Sequence, residues 1–199
     1  MATYKLKTPI SEEDVRKLKV NDVIYITGTM FTARDSAHKR ALDYYKQGKK
    51  MPINPQGLAV FHCGPIVRKE NDKWTIVAAG PTTSTRMDLF EDEFIKNYKV
   101  RVVIGKGGMG RKTTEAMKKY GAVYGAFTGG AAVLAAKAIK HVKTVEWFDL
   151  GMPEALWILE VEDFGPLAVA IDSHGNNLFE DVRKKVEENR PKIYEKLDI

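Results

Sequence analysis

A single cysteine, Cys63, is all that the 199-residue chain carries. That excludes an internal disulfide and any metal or cluster site built from thiolates of this chain alone. A small buried hydrophobe at a strand end accounts for Cys63 better than a reactive thiol does. Histidines are also few. His38, His62, His141 and His174 are scattered without a ligand-pair spacing, although His62 could ligate a metal. No apolar run approaches the roughly 20 residues of a membrane span. Residues 1–9 alternate Lys with apolar side chains and have no signal-peptide core. Repeats, low-complexity tracts and Pro/Ser-rich linkers are absent too. The length then predicts a single domain over 1–199, in the cytoplasm and without a membrane partner.

The net charge of +6 raises the question of nucleic acid. Its distribution argues against that. Residues 99–119 are strongly basic, with Glu115 their one acid, whereas 144–182 carry acids and no Lys or Arg. Basic charge gathers around a glycine loop instead of running in a stripe interleaved with aromatics, as single-strand binders require. A compact anion pocket fits better.

Strands and helices alternate along the chain. Ser11 heads a short capped helix, 22–29 reads as a strand, and Asp35 or Ser36 caps a helix running to about Gln47. Segments 58–62 and 73–79 read as strands about a turn at 69–72, and 82–97 as a helix. A buried strand at 100–104 enters the glycine loop, followed by helix 113–120, strand 122–127 and helix 130–139. The last third is β-rich, at 144–148, 155–162 and 167–172, with a hairpin turn at Phe164, Gly165 and Pro166. Asn176 or Asn177 caps a charged terminal helix from Leu178 to about Leu197. This pattern predicts an α/β class with a mixed sheet.

Three strand-to-helix junctions put a cation beside glycines or hydroxyls: 28–35 with Arg34, 80–88 with Arg86, and 105–110 with Lys106. Helix N-termini offer free N–H groups and a positive dipole end, so each junction predicts an anion cradle. Three cations there could hold a small ligand with more than one carboxylate or phosphate. Gly105, Gly107 and Gly110 also satisfy a dinucleotide-loop spacing. The acid that should follow about 20 residues later is missing, and Arg111 interrupts a phosphate-loop pattern. A tight turn explains the loop as readily as a ligand does, and Lys106 favours the ligand. Thr82, Thr83, Ser84 and Thr85 are more hydroxyls than one cap needs, so one of them could face the ligand with Arg86 a turn further along. His38, one turn from Arg34, reads as a helix-face histidine rather than a ligand contact. The aromatic and acidic run at 146–153 reads as core packing, with an acid available to orient a basic pocket residue. Ser173 and His174 are adjacent and cannot form a nucleophilic triad.

Four ordered motifs carry a resemblance: Gly-Thr-x4-Arg-Asp-x-Ala-His at 28–38, Gly-Pro-Thr-Thr-Ser-x-Arg-Met-Asp at 80–88, Gly-Lys-Gly-Gly-Met at 105–109, and Glu-Trp-Phe-Asp-Leu-Gly-Met-Pro-Glu-Ala at 146–155. In that order, over about 6–179, the chain resembles the beta subunit, or C-terminal domain, of class I iron–sulfur fumarate hydratase, with tartrate dehydratase its close relative. The resemblance implies a swivelling β/β/α three-layer domain. It also implies a separate alpha subunit that holds a four-iron–four-sulfur cluster, one iron of which acts as a Lewis acid on the departing hydroxyl. By motif it makes Arg34, Arg86 and Lys106 the clamp on two substrate carboxylates, supported by Thr83, Gly105 and Gly107. Thr82 becomes the proton-transferring hydroxyl, opposite an alpha-subunit acid. The implied reaction is reversible hydration of fumarate to malate, with L(+)-tartrate dehydration the runner-up. The implied assembly is two alpha with two beta subunits, or a homodimer of the isolated and inactive beta chain. The competing class is a non-catalytic anion or nucleotide binder, which needs no partner subunit.

Overall fold

The computed structural model describes residues 1–198. Nine strands and six α-helices follow one another as β1 Thr3–Lys7, α1 Glu12–Arg16, β2 Val23–Thr32, α2 Asp35–Lys46, β3 Ala59–Phe61, β4 Ile66–Glu70, β5 Lys73–Ala78, α3 Glu91–Tyr98, β6 Val102–Gly105, α4 Arg111–Tyr120, β7 Val123–Ala126, α5 Ala132–Ala138, β8 Ile139–Glu146, β9 Leu156–Ile171 and α6 Leu178–Leu197. The main sheet has the order β1-β2-β3-β6-β7-β9-β8. Pairs from β1 to β7 are parallel, whereas β9 runs antiparallel to β7, β8 and β2. Because β9 bonds both β7 and β2, the sheet curls back on itself, and the fold is α/β with a mixed sheet, as the residue pattern predicts.

Both faces of this sheet are covered, which is why β3 and β6 read as unbroken apolar runs. Alternate residues go to opposite sides. Ala59, Phe61, Val102, Ile104 and Val123 join one cluster with Val15, Leu18, Ile76 and Ala135. Val60, Val103 and Tyr124 join the other, with Ala37, Ala41, Phe94, Ile95 and Met117. The second cluster lies under α2, α3 and α4. The first lies under α1, α5 and the β4–β5 hairpin, a separate two-stranded sheet. The result is three layers, β/β/α.

Several expected boundaries move. The single helix over 82–97 is instead a 3₁₀ stretch at Ser84–Leu89, a break at Phe90, and α3. Hydroxyl side chains compete with helical bonding. Here the Ser84 amide also bonds the Lys106 carbonyl and the Lys106 amide bonds the Thr82 carbonyl, so tertiary partners take the groups a helix would use. No hairpin forms at Phe164, Gly165 and Pro166, since β9 runs through them as one 16-residue strand. It pairs with β2 from Ile158 to Ala168, on both sides of Gly165 and Pro166, with register shifts between Ile24 and Gly28 absorbing the bend. Gly165 is what allows the approach, because a Cβ there would stand 2.8 Å from the Ile24 carbonyl oxygen. Strands β1 and β4 are additional to the expected set, and β8 begins at Ile139, inside the helix expected over 130–139. The caps at Ser11 and Asn177 form as the residue types predict.

Candidate functional site

Arg34, Cys63, Lys106 and Phe127 lie within two residues of the C-terminal ends of neighbouring parallel strands β2, β3, β6 and β7. In open α/β sheets ligands collect beyond these carboxyl ends. Arg34 ends the link from β2 to α2, and its guanidinium lies over the next strand's exit: a Cβ built on Gly64 would be 2.7 Å from Arg34 Nη1. The turn at 81–83 is stitched to the same exits. Pro81 bridges Cys63, the Thr82 amide donates to the His62 carbonyl at 2.6 Å, and Thr83 bridges Lys106. Arg86 reaches across to Asp35, bonding both carboxylate oxygens. Arg34, Thr82, Thr83, Arg86 and Lys106 therefore share one neighbourhood. Thr82 is half-buried, and Thr83, Arg86 and Lys106 are exposed. Lys106 makes no ion pair among the described residues; its ammonium group sits 3.7 Å from where a Cβ of Gly129 would be.

Gly105 and Gly107 serve this assembly differently. A Cβ on Gly105 would fall 1.9 Å from Ser84 Oγ, so the strand end needs glycine for the close approach. Gly107 has a φ of +72° and carries the loop past the Thr83 and Thr85 side chains.

The expectation that helix N-termini here are open anion cradles is corrected at two of the three junctions. At α4, the Gly110 amide and the Thr113 hydroxyl both donate to Asp88 Oδ1, at 2.8 and 2.7 Å. At α2, the Ser36 amide donates to Glu154 Oε2 at 2.9 Å. The chain's own carboxylates occupy both ends, satisfying the dipole internally. The third junction leads into 3₁₀ structure rather than an α-helix. Positive charge available to a ligand thus resides on side chains. With Asp88 at α4, the phosphate cradle of a nucleotide loop is filled. Asp35 is likewise no cap: the α2 N-cap position is Arg34, without a side-chain cap bond, and Asp35 serves Arg86 instead.

The histidines correct the expectation of scatter. His38 and His62, 24 positions apart in sequence, meet on Glu91 in a site with no solvent exposure. Glu91 Oε2 lies 3.2 Å from His38 Nε2 and 3.0 Å from His62 Nε2. His38 Nδ1 donates to the Arg34 carbonyl at 2.8 Å, and His62 Nδ1 pairs with Ser84 Oγ at 2.9 Å. The Tyr124 hydroxyl donates toward Ser84 Oγ at 2.9 Å, and the Gly107 carbonyl is also within its reach. Burial pushes the Glu91 carboxyl up, but the facing imidazoles outweigh it and hold it down to about 2. Burial pushes both histidines toward neutrality. Glu91 overcomes this at His38, whose pKa is raised, and does not at His62, whose pKa is lowered.

Glu154 was outside the run from which an orienting acid was expected, by one position. Its Oε1 lies 3.2 Å from Arg34 Nε, an ion pair at a part-buried site. Within the run, Asp149 instead binds Arg40 through both oxygens. Glu91 and Tyr124 carry no local motif that singles them out. Ser84 and Asp88 stood in the 80–88 motif and Glu154 in the 146–155 motif, without a role assigned to them.

Comparison with known proteins places this geometry. The model of the fumarase C-terminus family matches residues 1–182. The L(+)-tartrate dehydratase subunit beta of Escherichia coli K12 is 48% identical over 192 residues, covering 96% of this chain and 94% of that protein. A protein of Methanocaldococcus jannaschii provisionally named as the same subunit is 46% identical over 190 residues, covering 95% and 94%. A protein of Geobacillus stearothermophilus provisionally named class I fumarate hydratase is 44% identical over 180 residues, covering 90% of this chain and 34% of that longer protein. The chain belongs to the fumarase C-terminus family, as a beta subunit of the class I fumarate hydratase and tartrate dehydratase kind.

Proposed function

We propose that this chain is the beta subunit of a hydro-lyase that adds water to, or removes it from, a four-carbon dicarboxylate, with fumarate and malate as the pair. The observation that carries the reading is the gathering of Arg34, Arg86 and Lys106 around the Thr82 turn at the strand exits. A dicarboxylate needs separated cations, and planar guanidinium groups grip a carboxylate through two bonds. Asp35 and Glu154 hold the two arginines in advance, so less freedom is lost on binding. Thr83, Gly105 and Gly107 would complete the pocket wall.

Thr82, as the alkoxide, would take the proton from the carbon beside the bound carboxylate in dehydration, becoming the hydroxyl, and as the hydroxyl would return it in hydration. A threonine is a weak base, and the surrounding cations favour its charged form. The hydroxyl leaving the adjacent carbon would take its proton from an acid on the partner. L(+)-tartrate is the second reading, favoured because relatives matching over nearly their whole length are named tartrate dehydratase subunit beta.

Enzymes of this kind use an iron–sulfur cluster, and the residues here do not fit one. A four-iron–four-sulfur cluster asks for several thiolates. Cys63 is the one cysteine, it is fully buried, and burial pushes its thiol up to about 12 against the opposing pull of Arg34. The cluster therefore belongs to an alpha-subunit partner, and the isolated beta chain is inactive. No helix among the described residues is long and apolar enough to cross a membrane.

The test is anaerobic reconstitution with a cluster-bearing alpha subunit, following fumarate, malate and L(+)-tartrate separately. Arg34→Ala, Arg86→Ala and Lys106→Ala are each expected to raise KM by about tenfold or more, the loss of one charge-assisted carboxylate contact. Unchanged kinetics in all three would end the clamp reading. A kcat/KM for tartrate well above that for fumarate would select the second substrate.

A further inference from the structure

The buried His38, Glu91 and His62 cluster touches none of the clamp side chains, yet it holds the backbone that carries them. His38 Nδ1 must donate to Arg34, because a carbonyl can only accept. A neutral His38 would then aim a bare Nε2 lone pair at a carboxylate 3.2 Å away, and only the imidazolium removes that repulsion. His62 can satisfy both neighbours while neutral, with Nε2–H toward Glu91 and Nδ1 accepting from the Ser84 hydroxyl. The His62 carbonyl in turn receives the Thr82 amide. Glu91 thus stands between Arg34 on one side and Thr82 on the other, while Ser84 ties the same ring to Lys106 through its amide.

We propose that Glu91 is a positioning residue whose carboxylate, bridging a protonated His38 and a neutral His62, sets the separation of Arg34, Thr82 and Lys106. The inference rests on the clamp reading above. The shifts already described agree with it: His38 is raised, His62 lowered, and Glu91 stays ionised. Groups facing the cluster from packed elements are Arg34 and Asp35 at α2, Ser84 on the 3₁₀ stretch, the Phe94 ring 4.6 Å from His38, and Tyr124 on β7. Of these, Asp35 is already paired to Arg86, and Tyr124, its hydroxyl pushed up by burial, stays protonated. Glu91 is the one buried anion available to hold the His38 proton. The three side chains also offer ligand atoms within 4.8 Å of one another, which makes a bound metal the competing explanation.

Two measurements decide it. In the full beta chain, nitrogen-15 NMR near neutral pH should find both His38 nitrogens protonated and one on His62, and Glu91→Gln should remove the second His38 proton. In the reconstituted complex, Glu91→Ala should lower kcat/KM by about a hundredfold, mostly through KM, as a misplacement near 1 Å does. Glu91→Gln should recover only part of that loss, since both imidazoles meet the same oxygen, Oε2, where an amide can place an acceptor for His62 or a donor for His38 but not both. If Glu91→Ala does not fold, His38→Gln gives the same test. Its amide reaches the Nε2 position but not the Arg34 carbonyl, so KM should rise as in Glu91→Ala. Wild-type kcat/KM in folded Glu91→Ala or His38→Gln would overturn the proposal. So would a singly protonated His38, or a transition metal held stoichiometrically through chelator dialysis and lost in Glu91→Gln. If Arg34→Ala and Lys106→Ala leave activity intact while the NMR signature stands, the clamp reading fails and the charge assignment survives.

Discussion

At the scale of single residues, the closest constraint is at Gly105. Its missing side chain makes room for the Ser84 hydroxyl, with Tyr124 Oη and His62 Nδ1 also near, at 3.2 and 3.3 Å from a would-be Cβ. Gly105→Ala is therefore expected to destabilise the chain by about 1–3 kcal/mol, as overpacking does, read as a drop in thermal midpoint. Because the displaced Ser84 also holds His62, kcat/KM should fall in the complex even where the variant is folded. Cys63 gives the opposite result. A fully buried thiol held neutral does not alkylate, so iodoacetamide should leave the native chain unmodified and label it only on unfolding. The glycine spacing and the single cysteine were visible in the chain. That Gly105 yields to a serine 21 positions away was not, because nothing local marks Ser84 as its neighbour.

At the scale of elements, the helix starts decide the electrostatics. Asp88 sits within the 3₁₀ stretch and serves α4 from outside that helix, so Asp88→Ala removes an N-terminal partner from a helix that has no cap of its own. The expected cost is about 1 kcal/mol, the usual worth of a cap, measurable by urea unfolding. Helix α3 brings Glu91 into the core, where its pKa is held below the ordinary carboxylate range. The stability it contributes is complete above that range and is lost as pH falls toward about 2. Thermal midpoints should thus decline on acidification in the wild type and decline less in Glu91→Gln. A parallel decline in both would show that Glu91 is not the group that titrates. The expected extents of α2, α4 and α6 lie within about two residues of those found, and Asn177 caps α6 as expected, whereas the cap expected for α2 does not form. The helix expected over 82–97 failed because its hydroxyl start bonds across to Lys106, a partner no window of the chain contains.

Across the whole molecule, the curl of the sheet brings the pieces together. Strand β9 pairs with β2, β7 and β8 at once, and with its partners it draws four parallel strand exits into one rim. The rim is cationic and open on the side of Arg86 and Lys106, while the acidic stretch over 144–182 supplies Glu154 behind Arg34. Exposed cations at this rim agree with a site completed by a second subunit. Mixing the beta chain with its alpha partner should protect Arg86 and Lys106 from solvent, read as slowed lysine acetylation at Lys106. Equal acetylation in the free and mixed states would argue that the partner covers another face.

Residue types and short spacings alone determined the alternation of strands and helices, the cations and hydroxyls at the strand exits, the absence of a thiolate set, and the family. They could do so because turns, caps and apolar periods act over a few residues, and the four motifs are each contiguous. Tertiary structure alone decided that Asp88 and Glu154 fill the helix ends, that Phe164, Gly165 and Pro166 continue a strand, and that His38, Glu91 and His62 meet. Those outcomes depend on which distant carboxylate or strand arrives beside a given backbone group. Burial then sets their charge, through a loss of solvent that no local pattern encodes.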